Sequence, residues 1–206
     1  NLVALAQTNV KRMLAYSSVG QVGFLLMGVA ALSTLSSNGL MVHLVGYSVT
    51  NLAVFFAITA FYNVTGKEEI ADFAGLAARS PFLAASITVS LFSLAGLPFL
   101  AGFVTKFYLF SAAAAEDLLW LAGVAMVASL ISLYYYLNVI REMYISPTAE
   151  GEGGTIKTPT LLYGLVGALV IFVILLGVYP APVVNIIEEA TSVILPVGET
   201  AVFNLR

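Results

Sequence analysis

The sequence predicts an all-α integral membrane protein with five transmembrane helices, the third of them discontinuous. Three observations predict it. Of 206 residues, 60% are hydrophobic and 9% charged, against about a quarter charged in soluble domains. The apolar residues form continuous blocks of membrane-spanning length. The lysines and arginines then gather on one side of those blocks. A chain this small leaves too much surface exposed to hide such an apolar load in water, so an ordinary soluble domain is excluded.

The charges mark off the blocks. The first runs from about Leu14 to Leu35, and the second from about Gly39 to Tyr62 with His43 inside it. The third lies between Arg79 and Glu116, with Lys106 as its sole charge. The fourth covers about Leu118 to Ile140, and the fifth about Thr160 to Tyr179. Every backbone group in lipid needs an internal partner, which leaves helices or a closed barrel. Continuous rather than alternating hydrophobicity excludes barrel strands.

Five crossings place the loops alternately. One side then holds Lys11, Arg12, Lys67, Arg79, Arg141 and Lys157, and the other only Arg206. By the positive-inside rule the N-terminal end and the 63–80 and 141–159 loops face the cytoplasm. The 112–117 loop, with Glu116 and Asp117, and the C-terminal tail face the other compartment. Ser33 to Gly39 reads as a short polar turn, and Gly151-Glu152-Gly153-Gly154 as a flexible connector. Beyond Pro180 and Pro182, the stretch Val183 to Leu195 is either a short interfacial helix or a plain tail. No repeat of 20–50 residues and no low-complexity segment is visible.

The third block is too long for one crossing. Its 36 residues would extend roughly 54 Å as one straight helix, against a hydrocarbon core of about 30 Å. Near its middle stands S-L-A-G-L-P-F-L-A-G-F, with Gly96, Pro98 and Gly102. Proline removes a helical hydrogen bond and clashes with the preceding turn, and glycines beside it favour a break over a bend. One half therefore ends near Gly96 and the next begins near Leu100. Broken backbone at membrane depth is tolerated where protein or a wet cavity satisfies it, and in transporters it marks ion sites.

Four residues past Gly102 comes Lys106, the one ammonium within the apolar blocks. An intramembrane lysine is costly and marks a functional site by default. The positive end of the half-helix starting just before it adds to the cost of its charged form. An amine so placed is suited to gaining and losing a proton. The structural alternative is a lysine that snorkels to an interface or pairs with a carboxylate elsewhere. No carboxylate lies inside a block, so an acidic partner must come from outside them.

His43, Tyr47 and Asn51 are spaced four apart and form a column on one face of the second helix. With interposed waters, imidazole, phenol and amide can carry a proton wire. The alternative has His43 capping the span at the surface, with Tyr47 and Asn51 in interhelical hydrogen bonds. Ser90, Ser93 and Thr105 supply hydroxyls near the break or serve as ordinary packing. Tyr134, Tyr135 and Tyr136 read as an aromatic belt.

Other chemistries are excluded. Without cysteine there is no disulfide, thiolate zinc site, iron–sulfur cluster or cysteine nucleophile. One histidine cannot build a histidine metal cluster or a haem pair, and no phosphate-binding glycine loop occurs. A net charge of −3 with scattered basic residues provides no stripe for nucleic acid. No cleavable signal peptide is visible, and the opening N-L-V-A-L-A-Q-T-N predicts a piece of a longer chain.

Three segments carry a family resemblance. K-R-M-L-A-Y-S-S-V-G-Q-V-G-F (Lys11 to Phe24) resembles the entry to a late helix of antiporter-like membrane subunits. S-P-F-L-A-A-S-I-T-V-S-L-F-S-L-A-G-L-P-F-L-A-G-F-V-T-K-F-Y-L-F (Ser80 to Phe110) resembles their broken helix with its lysine. S-L-I-S-L-Y-Y-Y-L-N-V-I-R-E-M-Y (Ser129 to Tyr144) is similar to the helix after it. Together they resemble the subunit N family of respiratory complex I, the proton-pumping NADH:quinone oxidoreductase, and the equivalent subunit of its photosynthetic counterpart.

The resemblance implies a fold and a role. The five spans become helices ten to fourteen of a fourteen-helix subunit. Residues 1–145 are then part of the second inverted-repeat half, and 146–206 the final helix and tail. The first repeat, with its glutamate and two further lysines, lies outside this sequence. Lys106 falls on the family's broken-helix lysine, which transfers protons towards the positive side. The loop charges place Lys106 in that same half independently. There are two departures: Thr105 stands where the family has glycine in F-x-G-K-F, and His43 where subunit N is commonly aromatic or apolar.

The implied protein moves protons in a bacterial inner membrane, or a thylakoid, driven by electron transfer in other subunits. It is a subunit of an enzyme and carries no redox centre or other cofactor itself; FMN, iron–sulfur clusters and quinone belong to partner subunits. Those partners include another antiporter-like subunit, with lipid around them and no nucleic acid. The alternatives are a subunit of a multi-component Na+/H+ antiporter or membrane-bound hydrogenase, and a non-pumping scaffold.

Overall fold

The computed structural model describes residues 1–148, 154–156 and 158–194. The expected connector at 151–153, Lys157, Leu195 and Arg206 lie outside the described residues. Among the described residues the fold is all helical, apart from one isolated bridge between Asn9 and Glu69. The helices are α1 (Leu2–Leu5), α2 (Val10–Ala31), α3 (Thr34–Thr65), α4 (Leu76–Arg79) and α5 (Pro81–Ala95). They continue with α6 (Ala101–Ala115), α7 (Leu119–Tyr144), α8 (Thr160–Val178) and α9 (Ala181–Ile194). A 3₁₀ turn, Ile70–Phe73, precedes α4.

Four helices, α2, α3, α7 and α8, are long and apolar enough to cross a bilayer. The protein is therefore an integral membrane protein. Helices α5 and α6 have 15 residues each, or roughly 22 Å, short of a full crossing. Helix α3 is the central post, touching α2, α5, α6, α8 and α9. The main core joins Ile58 and Phe61 of α3 to Leu83 and Ile87 of α5 and to Tyr136 and Val139 of α7. Helices α7 and α8 expose Trp120, Leu130, Ile171 and Leu175, as lipid-facing surfaces do.

The polar turn expected over Ser33 to Gly39 is only Leu32–Ser33, and α3 already runs from Thr34. Leu32 closes α2 in the left-handed region, with φ 44°. Ser33 then opens α3 through a capping box in which Ser33 and Ser36 exchange backbone and side-chain bonds. The S/T-x-x pattern at a helix start outweighs the polarity of the segment. The expected 112–117 loop likewise shrinks to Glu116–Leu118, because the alanine run Ala112–Ala115 continues α6.

Of the two readings of Val183 to Leu195, the helix is present. Val184 and Ile187 of α9 pack on Val42 of α3, while Glu188 and Glu189 stay exposed. Amphipathic spacing provides the docking face.

The opposite end is tied by backbone bonds across loops: Ile70 N–H to Thr8 O at 2.7 Å, Gly75 N–H to Glu142 O at 3.1 Å, and Ile156 N–H to Arg79 O at 3.2 Å. They bring the segments carrying Lys11, Arg12, Lys67, Arg79 and Arg141 to one end of the bundle. There Lys11 Nζ donates to Glu68 at 2.7 Å and Asn9 Nδ2 to the same carboxylate at 2.8 Å. The bond from Lys11, then that from Asn9, holds the Glu68 carboxyl below the usual carboxylate range. A depressed folded value means this clasp contributes at neutral pH and is lost as pH falls through that value. The pair is solvent-accessible, so the effect is small. Glu68→Gln is expected to flatten the acid limb of melting temperature against pH for the detergent-solubilised protein. An unchanged acid limb would show that the clasp does not contribute.

Candidate functional site

Helix α5 ends by a glycine closure. Leu97 N–H bonds Phe92 O at 3.0 Å and Gly96 N–H bonds Ser93 O at 2.9 Å, with Gly96 at φ 90°. This is the Schellman pattern, which needs a residue at ease in the left-handed region. Pro98 follows two residues later, where it prevents the helix from resuming. The terminator is therefore Gly96, with Pro98 in support. Helix α6 starts at Ala101 with the hydroxyl of Ser93 accepting from Gly102 N–H at 3.0 Å across the gap. A Cβ on Gly102 would run into the Ser93 carbonyl, so only glycine allows this approach.

Lys106 is 4% exposed, so it does not snorkel. Its Nζ donates to Leu94 O at 2.9 Å, Ala95 O at 3.1 Å and Ser129 Oγ of α7 at 3.0 Å. The Phe24 ring of α2 covers it at 4.5 Å from Nζ to centroid. Two of the three acceptors are among the last carbonyls of α5, which have no intrahelical partner. The expected electrostatics are thereby corrected. The sequence places the start of α6 near the lysine, but the long side chain reaches back to the end of α5, the negative pole of that helix. All three acceptors are neutral, and no carboxylate bonds the amine among the described residues.

His43 of α3 is buried, and its Nδ1 lies 3.0 Å from Thr105 Oγ1. Thr105 also donates to Gly102 O at 3.2 Å. The Thr105 hydroxyl thus ties the His43 ring to the first turn of α6. Nε2 is buried without a hydrogen-bond partner among the described residues. Tyr47 stacks on His43, with ring planes 8° apart. His43 thus lies inside the bundle and does not cap the span at the surface.

Gln21, His43, Tyr47, Thr50, Ser93 and Lys106 share one cavity. About 10 Å³ of it is open to the centre of a water, which is the size needed for one molecule. Asn51 does not line it; Thr50 does, donating to Gly46 O at 2.7 Å and 3.2 Å from Ser93 Oγ. A spacing of four drifts about 40° per step around a helix of 3.6 residues per turn. Two steps turn Asn51 about 80° from His43, while Thr50, seven residues on, stays nearly in line. Of the neighbouring hydroxyls, Ser93 and Thr105 belong to the site. Ser90 instead donates to Ser86 O within α5 at 2.8 Å.

The aromatic belt does not form as expected. Tyr134 is 61% exposed, but Tyr135 and Tyr136 are 2% and 0% exposed. Consecutive residues on a helix lie about 100° apart, so three tyrosines in a row cannot share one environment. Tyr136 bonds the Ser17 hydroxyl of α2, and Tyr135 donates to Asn1 Oδ1 at 3.0 Å. Tyr136→Phe is expected to lower stability by about 1–3 kcal/mol by orphaning Ser17. The double variant Ser17→Ala/Tyr136→Phe should recover part of that loss in thermal melts. Equal loss in the double variant would refute the pairing.

Sequence reasoning missed Gln21, Phe24, Thr50 and Ser129. Gln21 Nε2 donates to Leu94 O at 3.1 Å, the carbonyl that also accepts from Lys106. A buried glutamine in an apolar run was a usable signal. Phe24 and Ser129 carried none, since such residues are common in membrane helices.

A buried amine at a helix break, set in a polar seam through an all-helical membrane bundle, defines an antiporter-like membrane subunit. The chain belongs to the family described as NADH:quinone oxidoreductase/Mrp antiporter, TM, whose profile matches residues 1–132. NADH-quinone oxidoreductase subunit N of Moorella thermoacetica is 46% identical over 185 residues, covering 90% of this chain and 39% of that protein. A chain of the membrane-bound sulfane sulfur reductase, an archaeal respiratory membrane complex, superposes with TM-score 0.84 at 32% identity, over 93% of this chain and 38% of that one. A chain of respiratory complex I from Thermus thermophilus with bound NADH gives TM-score 0.79 at 28% identity, over 94% and 41% respectively. The chain spans about two fifths of the length of the curated relatives it matches.

Proposed function

We propose that this chain is the C-terminal portion of a proton-translocating subunit of a NADH (or ferredoxin):quinone oxidoreductase. Helices α5 and α6 together make one discontinuous crossing, the third of five. Residues 1–145 form part of the second inverted-repeat half, and 146–206 hold the final span and tail. Lys106 is the outer protonatable station. His43 and Tyr47 line the approach with Gln21 and Thr50, while Asn51 stands aside. The basic end faces the cytoplasm, in a bacterial inner membrane. Flavin, iron–sulfur clusters and quinone belong to partner subunits, and another antiporter-like subunit is a neighbour.

The observation carrying this reading is the Lys106 amine, buried at the break and bonded by neutral acceptors, with no carboxylate on it among the described residues. Charges on neighbouring helices bias such a group electrostatically. A subunit of a multi-component Na+/H+ antiporter is the second reading, supported by the breadth of the family description. Purifying the host complex from its membrane separates the two. Bound flavin and quinone reductase activity coupled to proton uptake are expected. Sodium–proton exchange by a complex without redox groups would overturn the first reading in favour of the second.

A further inference from the structure

Helix α8 ends against the α5–α6 break. It stops at Val178 and α9 begins at Ala181, because Pro180 has no N–H to extend the ladder once Tyr179 N–H has bonded Leu175 O at 2.7 Å. Val183 and Val184 N–H both donate to Pro180 O, at 3.1 and 3.0 Å, so the helix resumes at once. Leu176 of α8 and Val183 of α9 pack with Leu100 and Ala101 at the start of α6 and with Val49 of α3. The closest approach is at Gly177, where a Cβ would overlap Leu100 Cα and the Phe99 carbonyl oxygen. Both are backbone atoms at the entry to α6. Phe99 holds φ 67°, a left-handed conformation that strains a residue with a side chain. Such strain persists where packing fixes the backbone. The Phe99 ring is 75% exposed and does not provide that packing; the end of α8 does.

We propose that Gly177 is a positioning residue for α6: the end of α8, seated on the Phe99–Leu100 backbone, fixes where the half-helix carrying Thr105 and Lys106 stands. Helix α6 does not take its position from α5 through a continuous helix, and Leu100 provides no side-chain cap to anchor its start. Gly102 sets its approach to Ser93 of α5, and α8 supplies a second constraint. Gly46 of α3 is the common seat, since a Cβ there would overlap the Thr105 methyl and lie 3.4 Å from Leu176 Cδ2. Moving α8 against the linker therefore moves the Thr105 hydroxyl relative to His43 and the Lys106 amine relative to the Leu94 and Ala95 carbonyls. Gly177 touches neither group and acts through the backbone alone. That this position matters for transport rests on the reading proposed above; the contact itself does not.

The test uses the intact host complex, with two readouts: protons moved per electron, and the position of α6 in an electron cryo-microscopy structure of each variant. Gly177→Ala is expected to push α6 away from α8 by roughly 1 Å, the step from overlap to van der Waals contact. It is also expected to lose this subunit's contribution to protons per electron while electron transfer continues. A merely structural role would lower the yield of complex, and both rates with it, but leave that ratio unchanged. Gly164→Ala on the same helix, with nothing within 4 Å of its would-be Cβ, is the control expected to keep both position and ratio. Where Gly177→Ala does not assemble, Leu176→Ala removes the packing without adding an atom and is expected to give the same loss. An α6 that has not moved would overturn the proposal, and so would a displaced α6 with an unchanged ratio when Lys106→Arg loses transport. Unchanged transport in Lys106→Arg counts instead against the translocation reading, and the displacement of α6 still decides its placement by Gly177.

Discussion

Under the proposed function, replacing Lys106 by methionine is expected to abolish this subunit's contribution to proton translocation, and replacement by arginine is expected to do the same for a different reason. Methionine approximates the volume and flexibility of the side chain. It removes the protonatable amine and leaves the Leu94 and Ala95 carbonyls, plus the Ser129 hydroxyl, without their donor. Lost transport in this variant alone would therefore not separate chemistry from helix capping. Arginine separates them. Its guanidinium can still donate to the end of α5, yet it does not give up a proton at any working pH. The measurement is protons moved per electron by the reconstituted complex, with melting temperature recorded alongside. Proton transfer predicts that Lys106→Arg loses transport while largely keeping stability. A scaffold predicts that Lys106→Arg pumps as the unmodified complex does.

The second large effect is expected at Gly102. An added methyl there meets the Ser93 carbonyl oxygen and carbon, which are backbone atoms of the last turn of α5. Neither can rotate away as a side-chain tip can. The two half-helices must separate, and the bond from Gly102 N–H to Ser93 Oγ is lost with them. Overpacking of this kind costs about 1–3 kcal/mol, and because both of the nearest atoms are Ser93 backbone, Gly102→Ala falls towards the upper end. Gly123 of α7, with nothing within 4 Å of its would-be Cβ, is the matched control. Gly123→Ala should be neutral or slightly stabilising, because alanine is the better helix former. Thermal melts of the two variants check this, and equal melting temperatures would mean that the half-helices are not held as closely as described.

The spacing of the charges revealed the apolar segments, and Gly96 and Pro98 revealed the interruption. The environment of each tyrosine from Tyr134 to Tyr136 was not legible. Burial of a particular residue depends on how far α7 is rotated towards α2, and composition carries no record of that rotation. The same limit explains Asn51 and Thr50. Adjacent in sequence, they differ by one helical step, and only the position of α6 against α3 shows which of them meets the seam. Gln21 was overlooked because its partner, the Leu94 carbonyl, exists as a free acceptor only once α5 has ended.

By itself the sequence determined the solvent of the protein, its charged end, the break between Gly96 and Leu100 and the single amine near it. Each of these is a sum over a segment or a local backbone preference, and such terms do not require knowing what lies alongside. Only the tertiary structure decided that the amine closes the end of α5 and that Thr105 orients His43. Those are contacts between residues far apart in the chain, set by helix rotation and register, and they arise only when the helices pack.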